Sequence, residues 1–220
     1  MQQATPVPPS PRFINGKRIT ILIILAFIAF IAGGFVGKHL QKPLSQKINA
    51  TLLPQPRSLP PFKLMDMQEK PLTNQDLQGH WTLLFFGFTH CGHVCPMTMS
   101  VLKQVNANLR INKQNSPRVL FISIDSQRDT PAVIKKYVIS FDKDFQGATG
   151  SKQELEKLTK ELGVVYMQVK PENTDYQIDH SGTVFLINPL GEVYAVFSMP
   201  HDANSMTHDL ETIATYANHA

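Results

Sequence analysis

Cysteine is scarce in this chain: its 220 residues contain two, Cys91 and Cys95, four positions apart. A bridge between them would close so short a loop that it removes little chain entropy, which argues against a purely structural staple. No one sign of charge dominates. Lys and Arg number 21 against 17 Asp and Glu, a formal net charge of +4, and the basic side chains form no stripe interleaved with aromatics. Nucleic acid is therefore not an expected partner. There is no internal repeat, and no cysteine closes the apolar run near the N-terminus, so a lipoprotein is not expected.

That run is ITILIILAFIAFIAGGFV, residues 19–36, without a charge. At helical rise it spans roughly 27 Å, close to the hydrocarbon thickness of a bilayer. Residues 19–36 read as a transmembrane anchor and 1–18 as a short cytoplasmic tail, with a cleaved signal peptide ending near Ala32-Gly33-Gly34 as the alternative. Lys38, Lys42 and Lys47 balance Arg12, Lys17 and Arg18, so the basic residues do not orient the span. The usual arrangement for a short tail exports the following domain. Without an Arg-rich amphipathic transit peptide, the expected location is a bacterial inner membrane with the domain on the periplasmic side. Residues 37–58, with Pro43, Pro54 and Pro56, read as a stiff Pro-rich spacer, and 59–220 as one domain.

The domain alternates its periods. FKLMD is a candidate edge strand, and TLLFFGF (82–88) is an unbroken apolar run expected for a strand buried on both faces. A helix over 96–112, with Pro96 in its first turn, carries Val101, Leu102, Val105 and Leu109 on one face. VLFISID (119–125) completes a parallel crossover unit. Thr130-Pro131 starts the next helix, and Ser151 with Glu154 forms a capping box before a helix that Gly163 ends. VVYMQV is a short strand. TVFLIN and EVYAVF flank a Pro-Leu-Gly turn as a hairpin, and a helix through Met206, Leu210, Ile213 and Ala217 closes the chain. The expected fold class is α/β: a thioredoxin-like mixed central sheet flanked by helices, preceded by one transmembrane helix.

In that layout Cys91 lies on the loop leaving a central parallel strand and Cys95 at the start of the following helix. Ligands collect at this rim of such sheets, and the positive helix end favours thiolate. A dithiol switch and a soft-metal site both satisfy these conditions. For metal, a third ligand is needed, and the candidates are His90, His93 and His180, with Met97 and Met99 further away. His180 precedes the strand expected beside the cysteine strand. No proline occurs between Pro171 and Pro189, so the proline that thioredoxin-like oxidoreductases place before this strand is missing. That favours metal over general disulfide exchange.

CGHVCP (91–96) resembles the C-x-x-x-C-P motif of the Sco/SenC proteins, copper chaperones of cytochrome c oxidase assembly. GHWTLLFFGFTHC, ISIDSQRDTP (122–131) and DHSGTVFLINPLGEV (179–193) agree with the family in the same order. The resemblance implies that Cys91, Cys95 and His180 hold copper, as Cu(I) or Cu(II). It also implies a copper donor protein, and a recipient that is the copper-receiving subunit of a haem–copper oxidase. Gly92-His93 stands where many relatives have Pro-Asp, exchanging a negative charge for an imidazole that could become a ligand. Asp125 is read as a group hydrogen-bonding near the thiols, or else as a turn carboxylate. Asp129 and Thr130 are assigned to helix capping, and His201, His208 and His219 to a solvated surface.

Two enzymatic readings compete with the chaperone. In one, Cys91 and Cys95 form a redox pair that reduces target cysteines before copper is inserted. In the other the chain is a thiol peroxidase, which the spacing opposes because Thr89 stands two, not three, residues before Cys91.

Overall fold

In the computed structural model, residues 48–112, 116–169 and 176–217 are described. The expected anchor over 19–36 lies outside them. Among the described residues no helix is long and apolar enough to cross a membrane.

Strand β4 (Thr82–Gly87) is buried at every position, as its unbroken apolar run predicts. It pairs in parallel with β5 (Arg118–Ser123), and β5 pairs in parallel with β6 (Gln146–Thr149). The crossover between β4 and β5 is helix α1 (Val94–Ile111), which buries Leu102, Val105 and Leu109. Helix α2 (Pro131–Phe141) joins β5 to β6, and the Thr130 side chain caps it by accepting from the Val133 amide. Of the two caps predicted for α3 (Lys152–Leu162), the C-terminal one forms and the N-terminal box forms in part. Ser151 accepts from Glu154 N–H and Gly163 adopts the left-handed conformation at φ 69°. The Glu154 carboxylate, however, accepts from the Lys63 amide, tying α3 to the neighbouring strand instead of to its own cap.

Strands β9 (Val184–Ile187) and β10 (Glu192–Phe197) form the predicted hairpin, and β9 runs antiparallel to β4. The resulting mixed sheet has the order β1 (Thr51–Ser58), β10, β9, β4, β5, β6, β2 (Lys63–Asp66), β3 (Pro71–Thr73). Helix α4 (Ala203–Ala217) packs on α1 and buries Met206, Leu210 and Ile213.

Two expectations are corrected. Thr51–Ser58, expected inside the spacer, is strand β1 and pairs with β10. Its prolines cannot donate to a ladder, so it lies at the sheet's edge with its register broken between Leu52 and Arg57. Strand β2 (Lys63–Asp66) is not an edge. It sits between β6 and β3 (Pro71–Thr73). Strand β7 (Tyr166–Val169) is present but leaves the main sheet, forming a separate ribbon with β8 (Gln177–His180).

Candidate metal centre

The register of two strands places the site. Because β9 is antiparallel to β4, with Val184 opposite Phe85, the residues leading into β9 lie beyond the carboxyl end of β4. The cysteine loop leaves from that same end. His180, the last residue of β8, therefore meets Cys91 and Cys95, and the three ligand atoms lie within 4.8 Å of one another. His180 Nε2 is 3.2 Å from Cys95 Sγ.

Each sulfur has a different environment. Cys95 is fully buried at the start of α1, against Gly87. Cys91 is half-buried, and its sulfur accepts from the Cys95 amide at 3.4 Å. No side chain from His93 caps α1, so the Cys91 sulfur occupies the place of a capping oxygen at the positive helix end. Donation from the Cys95 thiol is the largest influence on Cys91 and holds it down to about 3, helped by His180 and the Cys95 and His93 amides against partial burial. The partner moves the other way. Its bond to Cys91, burial and the nearby Cys91 and Asp129 charges push the Cys95 thiol far up. The two shifts are opposed, favouring the thiolate at Cys91 and the thiol at Cys95.

The ring of His180 lies against two aromatic side chains. Phe85 is tilted against it at 5.9 Å between centroids and Phe88 meets it edge-on at 6.1 Å. The Gly182 amide donates to His180 Nδ1, leaving Nε2 turned toward the sulfurs. Gly182 itself has φ +62°, and a Cβ there would stand 2.3 Å from Met199 Sδ, so the turn after the histidine demands glycine.

Asp129 is the residue that sequence reasoning undervalued. It is fully buried and accepts from Thr89 N at 2.8 Å, Thr89 Oγ1 at 2.6 Å and Ser123 Oγ at 2.5 Å. It thus fastens the cysteine loop to β5, while Thr130 alone caps α2. Its place in the R-D-T-P stretch was the available signal. Asp125 does not bond to a thiol: its carboxylate accepts from Tyr176 Oη and Arg128 Nε.

The other candidates fall away from the cluster. Met99 is buried in the core while Met97 is 53% exposed, so they cannot converge on one ion. His90 sits 3.5 Å from Asp129 and His93 is exposed at the helix start. His201 is not a solvated surface residue, since its Nε2 donates to the Gly182 carbonyl at 2.7 Å. His219 lies outside the described residues.

A thioredoxin-like domain with two sulfurs and one imidazole at the carboxyl end of a parallel strand defines a dithiol or soft-metal protein. The SCO1/SenC family matches residues 51–215, and the chain belongs to that family. Protein SCO1 homolog 1, a mitochondrial protein of Arabidopsis thaliana, is 34% identical over 147 residues, 67% of this chain. The chain spans only 44% of that plant protein's length. The crystal structure of Arabidopsis thaliana ScoI with copper bound is 33% identical, covers 72% of this chain and 99% of its own, and has a TM-score of 0.69. Yeast Sco1 with copper bound is 28% identical, covers 73% of this chain and 90% of its own, and has a TM-score of 0.67.

Proposed function

We propose that this chain is a membrane-anchored copper chaperone that carries one copper ion on Cys91, Cys95 and His180. The observation that supports this is the donor set itself, two sulfurs and one imidazole nitrogen within 4.8 Å. His180 Nε2 stands 3.2 Å from Cys95 Sγ, inside the span that one metal–sulfur bond of about 2.3 Å and one metal–nitrogen bond of about 2.1 Å can bridge. Soft thiolates with one imidazole favour Cu(I), and Cu(II) gains from a fourth ligand. Copper here is cargo. Loading draws on the Cys91 thiolate first and releases the proton of Cys95, so binding is coupled to proton loss. The half-exposed Cys91 leaves the ion open to attack by an acceptor's ligands.

The recipient is the copper-receiving subunit of a haem–copper oxidase, loaded after a donor protein has filled this site; that assignment follows from the family. Residues 19–36 are the anchor and the domain lies on the periplasmic side of a bacterial inner membrane.

The asymmetry of the two sulfurs favours a second activity at the same place. The Cys91 thiolate attacks a target disulfide, forming a mixed disulfide and releasing one target thiolate. Cys95, after losing its proton, attacks Cys91 and frees the second target thiol. The pair ends as a disulfide, oxidised by the two electrons that reduce the target.

A Cu(I) titration of the full chain with a competing chelator separates these readings. One tight copper per chain, weakened by His180→Ala and by Cys95→Ser, is the expected result. Unchanged affinity in His180→Ala together with fast reduction of a protein disulfide would assign the site to thiol exchange instead.

A further inference from the structure

Strand β8 carries His180 but, among the described residues, pairs only with β7, so no ladder there joins it to β4, from which the cysteine loop leaves. The β9–β4 register brings the residues after His180 to the cysteine rim, and a second tie acts on the strand's other end. Arg128, in the turn after β5, lies between the two sides. Its guanidinium carbon is 3.6 Å from the centroid of the Tyr176 ring and 5.9 Å from that of Phe88. Phe88 is 1% exposed and meets the His180 ring edge-on. The groups therefore stack in the order Tyr176, Arg128, Phe88, His180.

Hydrogen bonds lock the stack. Arg128 Nε donates to Asp125 Oδ2 at 2.5 Å, and Arg128 Nη1 donates to the Tyr176 carbonyl at 3.1 Å. Tyr176 Oη donates to Asp125 Oδ1 at 2.6 Å, closing a ring of three residues. Asp125 is 3% exposed, which makes these charge-assisted bonds stronger than their surface equivalents. Tyr176 stands immediately before β8, so its two ties hold the strand four residues upstream of the imidazole.

We propose that Arg128, with Asp125 and Tyr176, positions His180 for the metal. The triad presets the imidazole over the sulfurs, so less ordering entropy is lost when the ion arrives. The inference rests on the copper-carrier reading above. The alternative is that Arg128 only neutralises the buried Asp125 charge.

The test uses the full chain in detergent, reduced, with Cu(I) as probe in chelator competition. Arg128→Lys keeps the charge but loses the planar stack and the bond to Tyr176. Expected is a copper affinity lower by about tenfold, with no further loss when Arg128→Lys is added to His180→Ala. The ring proton shifts of His180 in the metal-free protein should also move, because Phe88 loses its backing. Tyr176→Phe, which deletes one hydroxyl and keeps the ring, should weaken copper in the same direction by less and carries the test should Arg128→Lys not fold.

If the wild type binds no Cu(I), the carrier reading itself fails. If the wild type binds and His180→Ala weakens it while Arg128→Lys and Tyr176→Phe do not, the positioning role alone is overturned. Equal weakening by Arg128→Lys with and without His180 reduces Arg128 to a structural counter-ion and likewise overturns it.

Discussion

Cys95 Sγ and His180 Nε2 lie 3.2 Å apart although 85 positions separate them in the chain. Their meeting depends on how closely the elements beneath them pack, and that packing is open to test.

Gly87 lies directly under Cys95. A Cβ there would stand 2.7 Å from Cys95 Sγ and 2.8 Å from Phe121 Cε2. Gly87→Ala should therefore cost about 1–3 kcal/mol in denaturant unfolding and weaken Cu(I) binding by displacing the sulfur. Gly92 has nothing within 4 Å of its Cβ position, so Gly92→Ala should leave stability within about 0.5 kcal/mol. Equal effects at the two glycines would contradict the packing described.

Asp129 fastens the cysteine loop through three hydrogen bonds to Thr89 and Ser123. Asp129→Ala leaves those buried donors without an acceptor, and a loss of about 3 kcal/mol is expected by urea denaturation. The loosened loop should also make Cys95, now buried, accessible to alkylation. A variant as stable as the wild type, with Cys95 still protected, would remove Asp129 from this role.

In the reduced, metal-free protein iodoacetamide should modify Cys91 first, because Cys91 is half-buried and Cys95 is not exposed. A thiol held down to about 3 stays ionised far below the ordinary range, so lowering the pH does not remove the nucleophile. The alkylation rate at Cys91, followed by mass spectrometry, should stay nearly flat from about pH 8 to about pH 5. An unperturbed thiol would lose about tenfold in rate for each pH unit over that range. Such a decline would show that the Cys95 thiol and the helix end do not stabilise the thiolate.

Asp209, fully buried on α4, accepts from the amides of Asn49 and Ala50 and so clamps the start of the domain. Asp209→Ala should free this entry and cost about 2 kcal/mol. Limited proteolysis should then cut faster just before β1. An unchanged cleavage pattern would show that the β1–β10 pairing alone holds the segment.

Much of the frame was legible in the residues. Unbroken apolar runs marked β4 and β5, Thr130-Pro131 and Ser151 marked helix starts, and the turn at Pro189 marked the hairpin. These are local effects of burial period, caps and turn residues. Strands β3, β6 and β8 escaped because they carry no such period. Strand β6, with the sequence QGAT, gains its strand state from pairing with β5 and β2 and from the close approach of Ile134 over Gly147. Strand β1 was hidden because prolines disqualify a central strand and say little about an edge.

By itself the chain's order of residues determined the helix and strand periods, the thiol pair at a helix start and the family likeness, since each is written within a few neighbouring positions. The partners of the buried polar side chains were decided only by the fold. Asp129 bonds to Thr89 40 positions away and Tyr176 to Asp125 51 positions away. Buried oxygens and donors must be paired wherever the chain brings them together, and local sequence does not encode which distant group will arrive.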